Sequence, residues 1–275
     1  MAVDYEKLRE RANFVRTETI RLIEIAKCGH YTSVFSAAEI ISVLYYHEMK
    51  LSDDPDWPDR DRFLMSKGHM AVGLYPILAD LGYFPKDWLD SYALLGSALG
   101  DHPDMRKIPG IDFSSGSLGH NLSNGVGMAL GLRLRNSPAR VFVIMGDGEQ
   151  NEGQIWEAAQ AASQFKVGNL VGIIDRNELS LDGATEEIMS IEPLADKWSA
   201  FGWNVHVIDG HSIHQLVDTF ENLPQDSQTP QLILAKTVKG KGLDFMEGTR
   251  LWHVGLLAGK DAENAVAQLQ EAEGE

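Results

Sequence analysis

Residues 140–149 read Arg-Val-Phe-Val-Ile-Met-Gly-Asp-Gly-Glu, a short apolar run that ends in a turn with two glycines. Three more apolar runs of similar length follow along the chain, and segments long enough to be crossover helices separate them. This alternation predicts an α/β fold with a doubly wound, mostly parallel sheet flanked by helices. The predicted strands are 140–145, 169–175, 203–209 and 231–236, and the predicted crossover helices are 152–165, 192–201 and 212–221.

The first part of the chain has helical patterns, because apolar residues recur there at three- and four-residue steps. Residues 96–124 differ. They carry many glycines and prolines, and a long irregular segment is expected in a compact domain mainly where it builds a site. We predict one domain over 1–259, followed by an acidic C-terminal tail or peripheral helix over 260–275. The predicted N-terminal helices are 8–26, 36–47, 69–81 and 85–95.

The composition excludes several classes of protein. Lys and Arg total 24 against 40 Asp and Glu, a net charge of -16, so we expect no nucleic-acid partner. No apolar run approaches the length that spans a membrane, and the acidic start Met1–Glu6 lacks the basic and apolar stretches of a signal peptide. Cys28 is the single cysteine, which suits a reducing compartment. We therefore predict a cytoplasmic protein that does not associate with membranes.

Polar residues follow two of the predicted strands. Gly146-Asp147-Gly148 comes directly after one strand and before a helix, and Asn177 follows the next strand. A Gly-Asp-Gly triplet by itself also occurs in ordinary turns. However, ligands of open parallel sheets bind beyond the carboxyl ends of the strands. A carboxylate and an amide oxygen at two such ends, with phosphate oxygens and water, can fill the octahedron of Mg²⁺, so the pair predicts a metal-diphosphate site.

The Gly-Asp-Gly turn with its distal asparagine resembles the thiamine-diphosphate motif. Four further segments resemble transketolases, in order and at suitable separations. The resemblance extends from Ala26 to His253 and implies the N-terminal, diphosphate-binding half of a transketolase, with the thiamine-diphosphate-binding fold. It also implies thiamine diphosphate and Mg²⁺, or another divalent cation such as Ca²⁺ or Mn²⁺. The four segments are Ser66-Lys67-Gly68-His69, Gly100-Asp101-His102-Pro103, Ser115-Gly116-Ser117-Leu118-Gly119-His120 and Lys236-Thr237-Val238-Lys239-Gly240-Lys241-Gly242.

The resemblance implies which residues hold the metal and the cofactor. Asp147, Asn177 and the carbonyl of Leu179 would bind the metal. Gly116 and Leu118 would meet the cofactor through the backbone, an approach that small residues permit. The implied cofactor-binding residues are His69, Gly116, Ser117, Leu118, Gly148, Glu149, Asn177 and His253.

Four histidines lie in segments punctuated by glycine or proline, which is typical of loops that carry function. The resemblance implies catalytic roles for His30, His102 and His253. His30 and His253 would contact the substrate and transfer protons, whereas His69 and His102 would line the diphosphate and the substrate channel. Imidazole suits these tasks because it exchanges protons near neutral pH. The alternative is that they are ordinary structural histidines.

Three further features have more than one interpretation. His120-Asn121 stands where transketolases commonly carry glutamine and glycine, which leaves a cofactor contact at His120 open. Glu152 resembles a glutamate that links the two active sites of the transketolase dimer, or it is a first-turn acid that favours the helix dipole. The glycines at 125, 127 and 131 lack the spacing of a dinucleotide fingerprint, and we interpret them as sites of close helix packing.

No second α/β pattern follows Lys260 in this sequence. A whole transketolase needs a second domain that holds the aminopyrimidine ring of the cofactor. We therefore expect a separate C-terminal, pyrimidine-binding subunit, an α2β2 heterotetramer, and no activity of this chain alone. The expected reaction transfers a two-carbon ketol unit from a ketose donor to an aldehyde acceptor. A phosphate, a sulfonate and a branched carbon skeleton all remain open for the substrate.

Other functions are compatible with parts of this pattern. One is a subunit of another thiamine-diphosphate enzyme, such as a 2-oxoacid dehydrogenase or a deoxyxylulose-phosphate synthase. The dehydrogenases do not require the set of histidines, and the synthases are longer single chains. A second is a non-catalytic cofactor-binding subunit, which would bind the cofactor without turnover. A third is a Mg²⁺-dependent phosphatase that uses Asp147, and it would release phosphate without a partner.

Overall fold

The computed structural model describes residues 3–224 and 227–271. The described residues form a parallel sheet of five strands in the order β1-β2-β3-β5-β4. The strands are β1 (Arg62–Met65), β2 (Val141–Gly146), β3 (Leu170–Arg176), β4 (Asn204–Asp209) and β5 (Gln231–Lys236). The α-helices are α1 (Tyr5–Ala26), α2 (Thr32–Phe35), α3 (Ala38–Val43), α4 (Ala71–Asp80), α5 (His120–Leu134), α6 (Gly153–Gln164), α7 (Thr185–Ile188), α8 (Leu194–Ala200), α9 (Ile213–Glu221) and α10 (Lys260–Glu271).

Helices cover both faces of the sheet. Because the side chains of a strand alternate between the two faces, one strand can contribute to a core on each side. On β2, Phe142 and Ile144 join a core with α1, α3, α4 and α9. Val141, Val143 and Met145 join a second core with α5, α6 and α8. The doubly wound parallel α/β fold predicted from the alternating pattern is therefore confirmed.

The predicted strand bounds agree with the structure to within one residue, whereas β1 was missed. This strand has four residues and follows a loop rich in aspartate, so it is too short to show a period. The irregular segment ends earlier than predicted, because α5 already begins at His120. The predicted helix 85–95 is a short 3-10 helix, Lys86–Ser91, and a π-helical turn, Leu44–Glu48, continues α3.

The three glycines of α5 do not share one role. A Cβ atom on Gly125 would lie 2.7 Å from Val143 Cγ2, so this glycine lets the helix approach the sheet closely. Gly127 and Gly131 have nothing within 4 Å of such an atom. The interpretation of all three as close-packing sites is therefore correct for Gly125 and wrong for the other two.

The C-terminal helix α10 packs against α1. Ala262, Ala265 and Leu269 are buried there in the same core as the N-terminal helices. The predicted tail beyond it, residues 272–275, lies outside the described residues. The division into a domain over 1–259 and a tail over 260–275 stays a prediction.

Candidate functional site

The candidate site is a cleft of about 390 Å³ at the carboxyl ends of the strands. β2 and β3 pair in parallel with Gly146 opposite Asp175, so the residues that follow them meet at one edge of the sheet. The two polar strand ends noted in the sequence therefore share one cleft, in agreement with the rule for open parallel sheets. Of the predicted site residues, the cleft brings together His30, His69, His102, Gly116, Leu118, Asp147, Gly148, Glu149, Asn177, Leu179 and His253.

Asp147 is buried at the start of the turn after β2, with 2% of its surface exposed. Its Oδ1 accepts from the amide of Gly148 at 2.7 Å, and its Oδ2 accepts from the amide of Glu178 at 2.5 Å. Arg176 Nη1 donates to Oδ2 at 3.3 Å. Burial, followed by repulsion from Asp175, raises the pKa of Asp147. A nearby cation therefore favours its charged form.

Asn177 and Leu179 line the same cleft. Asn177 Oδ1 accepts from the amide of Leu179 at 3.3 Å, which holds the side chain against its own loop. The carbonyl of Leu179 accepts from Lys239 Nζ at 3.0 Å. A carbonyl oxygen has two lone pairs, so each oxygen keeps capacity for another partner.

Three of the histidines that line the cleft form a tight group. The ring centroids of His30, His69 and His253 lie 5.1–5.4 Å from one another. Burial, followed by repulsion from Lys67, lowers the pKa of His69 well below its usual value. Burial and the positive charge of Lys239 lower the pKa of His253 to about 3. Both rings are therefore neutral at physiological pH and can accept a hydrogen bond.

Glu149 lines the cleft, and its carboxylate already has three donors. Ser66 Oγ and the amide of Gly119 donate to Oε1, and the amide of Gly146 donates to Oε2. Burial raises the pKa of this carboxyl group, while the three donors lower it. Glu149 therefore fastens the start of α5 and the loop after β1 to the end of β2. Its predicted contact with a cofactor stays a prediction.

Three residues discussed from the sequence lie outside the cleft lining. Ser117 is exposed and is not brought to the cleft, so its predicted cofactor contact has no support from the geometry. His120 is exposed at the first position of α5. Glu152 is the N-cap residue of α6, and its side chain makes no capping hydrogen bond there.

Two buried lysines were quoted in motifs without a role, and the structure brings both to the cleft. Lys67 pairs with Asp175, which also accepts from Ser36 at 2.6 Å and from Thr237. Asp175 itself indicates in the sequence that such an ion pair exists, because a charged residue inside an apolar strand requires a partner. The partner could not be identified, because Lys67 is remote from it in the chain.

The residues at this cleft fit thiamine diphosphate with a divalent cation. A carboxylate, an amide oxygen and a main-chain carbonyl are hard ligands suited to Mg²⁺. Two buried ammonium groups, Lys67 and Lys239, face the same space, and an anion would relieve their repulsion. Nδ1 of His253 is buried and has no hydrogen-bond partner among the described residues. Among the described residues, no three His, Cys, Asp or Glu side chains lie together in a group that could hold a metal ion.

Residues 8–274 match the family described as transketolase, thiamine diphosphate binding domain, and the chain belongs to this family. It is 39% identical over 272 residues to one subunit of the apulose-4-phosphate transketolase of Phocaeicola vulgatus, covering 98% of this chain and 96% of that one. It is 42% identical over 264 residues to 6-deoxy-6-sulfo-D-fructose transketolase subunit SqwG of Clostridium sp. (strain MSTE9), covering 96% of each. The chain corresponds to the N-terminal, diphosphate-binding subunit of a split transketolase.

Solved transketolases share the fold. The structure superimposes on the enzyme from Campylobacter jejuni with a TM-score of 0.90 and 29% identity, over 100% of this chain and 43% of that one. The transketolase from Leishmania mexicana gives 0.89 and 28%, over 100% and 42%. The chain thus spans less than half the length of these two transketolase chains. Within the described residues, no helix is long and apolar enough to cross a membrane.

Proposed function

We propose that this subunit binds thiamine diphosphate with Mg²⁺ and, together with a pyrimidine-binding subunit, transfers a two-carbon ketol unit from a ketose to an aldehyde. The observation that supports this most strongly is the meeting of three oxygen ligands, two ammonium groups and a group of histidines in one cleft. Asp147, Asn177 and the Leu179 carbonyl would hold the metal. Lys67 and Lys239 would offset the charge of the diphosphate.

The histidines would handle the sugar. Thiamine diphosphate, when bound, supplies the carbanion and the electron sink for cleavage of the carbon-carbon bond. His30 and His253 would receive the proton of the donor's C3 hydroxyl group, and His69 and His102 would hydrogen-bond to the diphosphate and to hydroxyl groups in the channel. The lowered pKa values of His69 and His253 keep both rings neutral, so each ring has a lone pair that can accept a hydrogen bond from a hydroxyl group.

The partner and the substrates belong to this proposal. We infer an α2β2 heterotetramer in which a C-terminal, pyrimidine-binding subunit closes the cleft, and no turnover by this chain alone. The named relatives act on a sugar phosphate in one case and a sulfosugar in the other. We therefore propose a ketose phosphate or sulfonate as donor. We place the protein in the cytoplasm, where its one exposed cysteine, Cys28, stays reduced.

The test is reconstitution with the pyrimidine-binding subunit. The wild-type mixture should release an aldose from a ketose donor in the presence of Mg²⁺ and thiamine diphosphate, and each chain alone should not. Asp147→Asn should weaken Mg²⁺-dependent cofactor binding by about tenfold or more, because a charged ligand is lost. Isothermal titration calorimetry measures that affinity.

The matched control is Glu186→Gln. Glu186 Oε1 contacts Arg176 at 3.1 Å, as Asp147 does at 3.3 Å, but Glu186 is exposed and does not line the cleft. It should bind the cofactor as the wild type does. Equal affinity of the Asp147→Asn complex and the wild-type complex would remove Asp147 from the metal site. Cofactor binding without turnover of any ketose would instead indicate a non-catalytic binding subunit.

A further inference from the structure

One carboxylate lies between two of the cleft histidines. Asp101 Oδ1 is 3.4 Å from Nδ1 of His30, and its Oδ2 is 3.3 Å from Nδ1 of His102. Both histidines line the cleft, whereas Asp101 does not. We propose that Asp101 is a positioning residue that holds His30 and His102 in the tautomer protonated at Nδ1, leaving Nε2 of each ring free to accept a proton. This inference rests on the proposed function.

Asp101 is itself held in place from the core. The hydroxyl group of Tyr92 donates to Asp101 Oδ1 at 3.2 Å, and that of Tyr75 donates to the carbonyl of Gly100 at 2.8 Å. Both tyrosines are fully buried, and their ring centroids lie 6.1 Å apart. Burial raises the pKa of both hydroxyl groups, which therefore remain donors. The loop that carries Asp101 is thus attached to two rigid side chains.

The charge of Asp101 determines which nitrogen of each neighbouring imidazole carries the proton. Interaction with His30 is the largest cause that lowers the pKa of this carboxyl group, and His102 and Tyr92 lower it further. An ionised carboxylate only accepts hydrogen bonds, so a ring nitrogen that faces it is best occupied by a proton. When a ring carries its single proton on that nitrogen, the opposite nitrogen has a free lone pair.

His253 provides a contrast within the same cleft. Nδ1 of His30 and Nδ1 of His253 are both buried without a hydrogen-bond partner among the described residues, but only Nδ1 of His30 has a carboxylate oxygen beside it, Asp101 Oδ1 at 3.4 Å. Two histidines of the cleft therefore have the same carboxylate beside Nδ1, and His253 has none among the described residues. Because an acceptor must present an unprotonated nitrogen to its substrate, a proton fixed at Nδ1 would leave Nε2 of His30 ready to accept a proton and Nε2 of His102 ready to accept a hydrogen bond.

Ring nitrogen NMR tests the tautomers directly in the full chain, without cofactor. Long-range proton-nitrogen spectra of histidine-labelled protein should show His30 and His102 protonated at Nδ1, with signals assigned by His30→Gln and His102→Gln. Asp101→Asn should convert at least one ring to a mixture of tautomers. Asp104→Asn is the matched control, since this carboxylate lies on the same loop and bonds to Arg106 and Ser114 rather than to a histidine. It should leave both rings unchanged.

A second variant covers the case in which Asp101→Asn does not fold. Tyr92→Phe keeps the buried ring and removes only the donor to Asp101, so it should also shift the tautomer balance of His30, by less. Unchanged tautomers in the folded Asp101→Asn protein, or in Tyr92→Phe if the former does not fold, would overturn the proposal.

Turnover of the reconstituted complex provides the functional readout. Asp101→Asn should lower kcat by about tenfold or more, as loss of a carboxylate that orients a functional histidine does elsewhere, with unchanged affinity for the cofactor. Wild-type kcat in this variant would overturn the positioning role. If the wild-type complex turned over no ketose, the proposed function would fail, and the NMR result would still decide whether Asp101 sets the tautomers.

Discussion

At the scale of single residues, the two lysines of the cleft differ in how their charges are balanced. Lys67 has a carboxylate partner in Asp175. Lys239 donates to the carbonyl of Leu179 and forms no ion pair with any carboxylate of the described residues. Burial, followed by repulsion from Lys67, lowers the pKa of Lys239 to about 8. Lys239 is therefore the cation that gains most from an anion in the cleft.

This imbalance predicts proton uptake when the cofactor binds. A diphosphate beside Lys239 should raise the pKa of its ammonium group back toward the usual value. Near pH 9 the free protein holds this amine mostly neutral, so binding should draw in a proton. Near pH 6 the amine is already charged, and Lys239 should take up none. Calorimetry of cofactor binding to the reconstituted complex, repeated in buffers of different ionisation enthalpy, measures the number of protons.

The control for this prediction lies on the same loop. Lys239→Met should abolish the uptake near pH 9, whereas Lys241→Met should retain it, because Lys241 pairs with Glu247 and does not line the cleft. Histidines contribute nothing at that pH, since their usual pKa values are far lower. Proton release, or equal uptake by Lys239→Met and the wild type, would contradict the prediction.

At the scale of secondary-structure elements, α5 directly follows the segment that contains the cleft residues Gly116 and Leu118. It begins at His120, directly after Gly119, whose φ of 83° is unfavourable for a residue with a Cβ atom. The amide of Gly119 donates to Glu149 at 2.7 Å. Further along the helix, a Cβ atom on Gly125 would lie 2.7 Å from Val143 of β2 and 3.2 Å from Leu170 of β3. The helix is thus attached to the sheet at its first turn and in its middle.

The glycines of α5 give a matched stability test. Gly125→Ala should lower the free energy of unfolding by about 1–3 kcal/mol, because the added methyl group would lie 2.7 Å from Val143. Gly127→Ala, two residues along and facing open space, should raise it by about 0.5–1 kcal/mol through its helix propensity. Chemical denaturation of the isolated chain measures both. The same sign for the two changes would mean that α5 does not pack as described.

At the scale of the whole molecule, the two ends of the described chain are packed together. α10 lies against α1, and Leu269 is 1% exposed. Asn13 on α1 donates to the carbonyl of Leu269 at 3.5 Å, and Leu269 Cδ2 lies 3.0 Å from where a Cβ atom on Gly242 would be. Residues predicted as a tail thereby cover the N-terminal helix and the loop that follows β5.

This packing predicts that the last helix contributes to the stability of the whole chain. Leu269→Ala should lower the free energy of unfolding by about 2–5 kcal/mol, because it opens a cavity in a buried contact. Gln270→Ala, at an exposed neighbouring position, should change it little. Denaturant unfolding followed by circular dichroism gives both values. A near-neutral Leu269→Ala would support an independent tail after residue 259.

Local sequence patterns were sufficient to predict much of the fold and part of the candidate site. Apolar runs that alternate with helical segments determined a parallel sheet, since period and run length are properties of neighbouring residues. Asp147 and Asn177 could be predicted to meet because the carboxyl ends of parallel strands lie at one edge of the sheet. The order and chemistry of the motifs likewise pointed to the family.

Only the tertiary structure decided the contacts between segments remote in the chain. The pairing of Lys67 with Asp175, the place of Asp101 between two histidines, and the contact of α10 with α1 depend on how loops are brought together. The local periodicity of the sequence does not specify these contacts. Strand β1 was missed for a related reason: four residues are too few to show a pattern, and parallel pairing with β2 stabilises them. The sequence determined the sheet and its polar edge, and the packing around that edge determined which charges face one another.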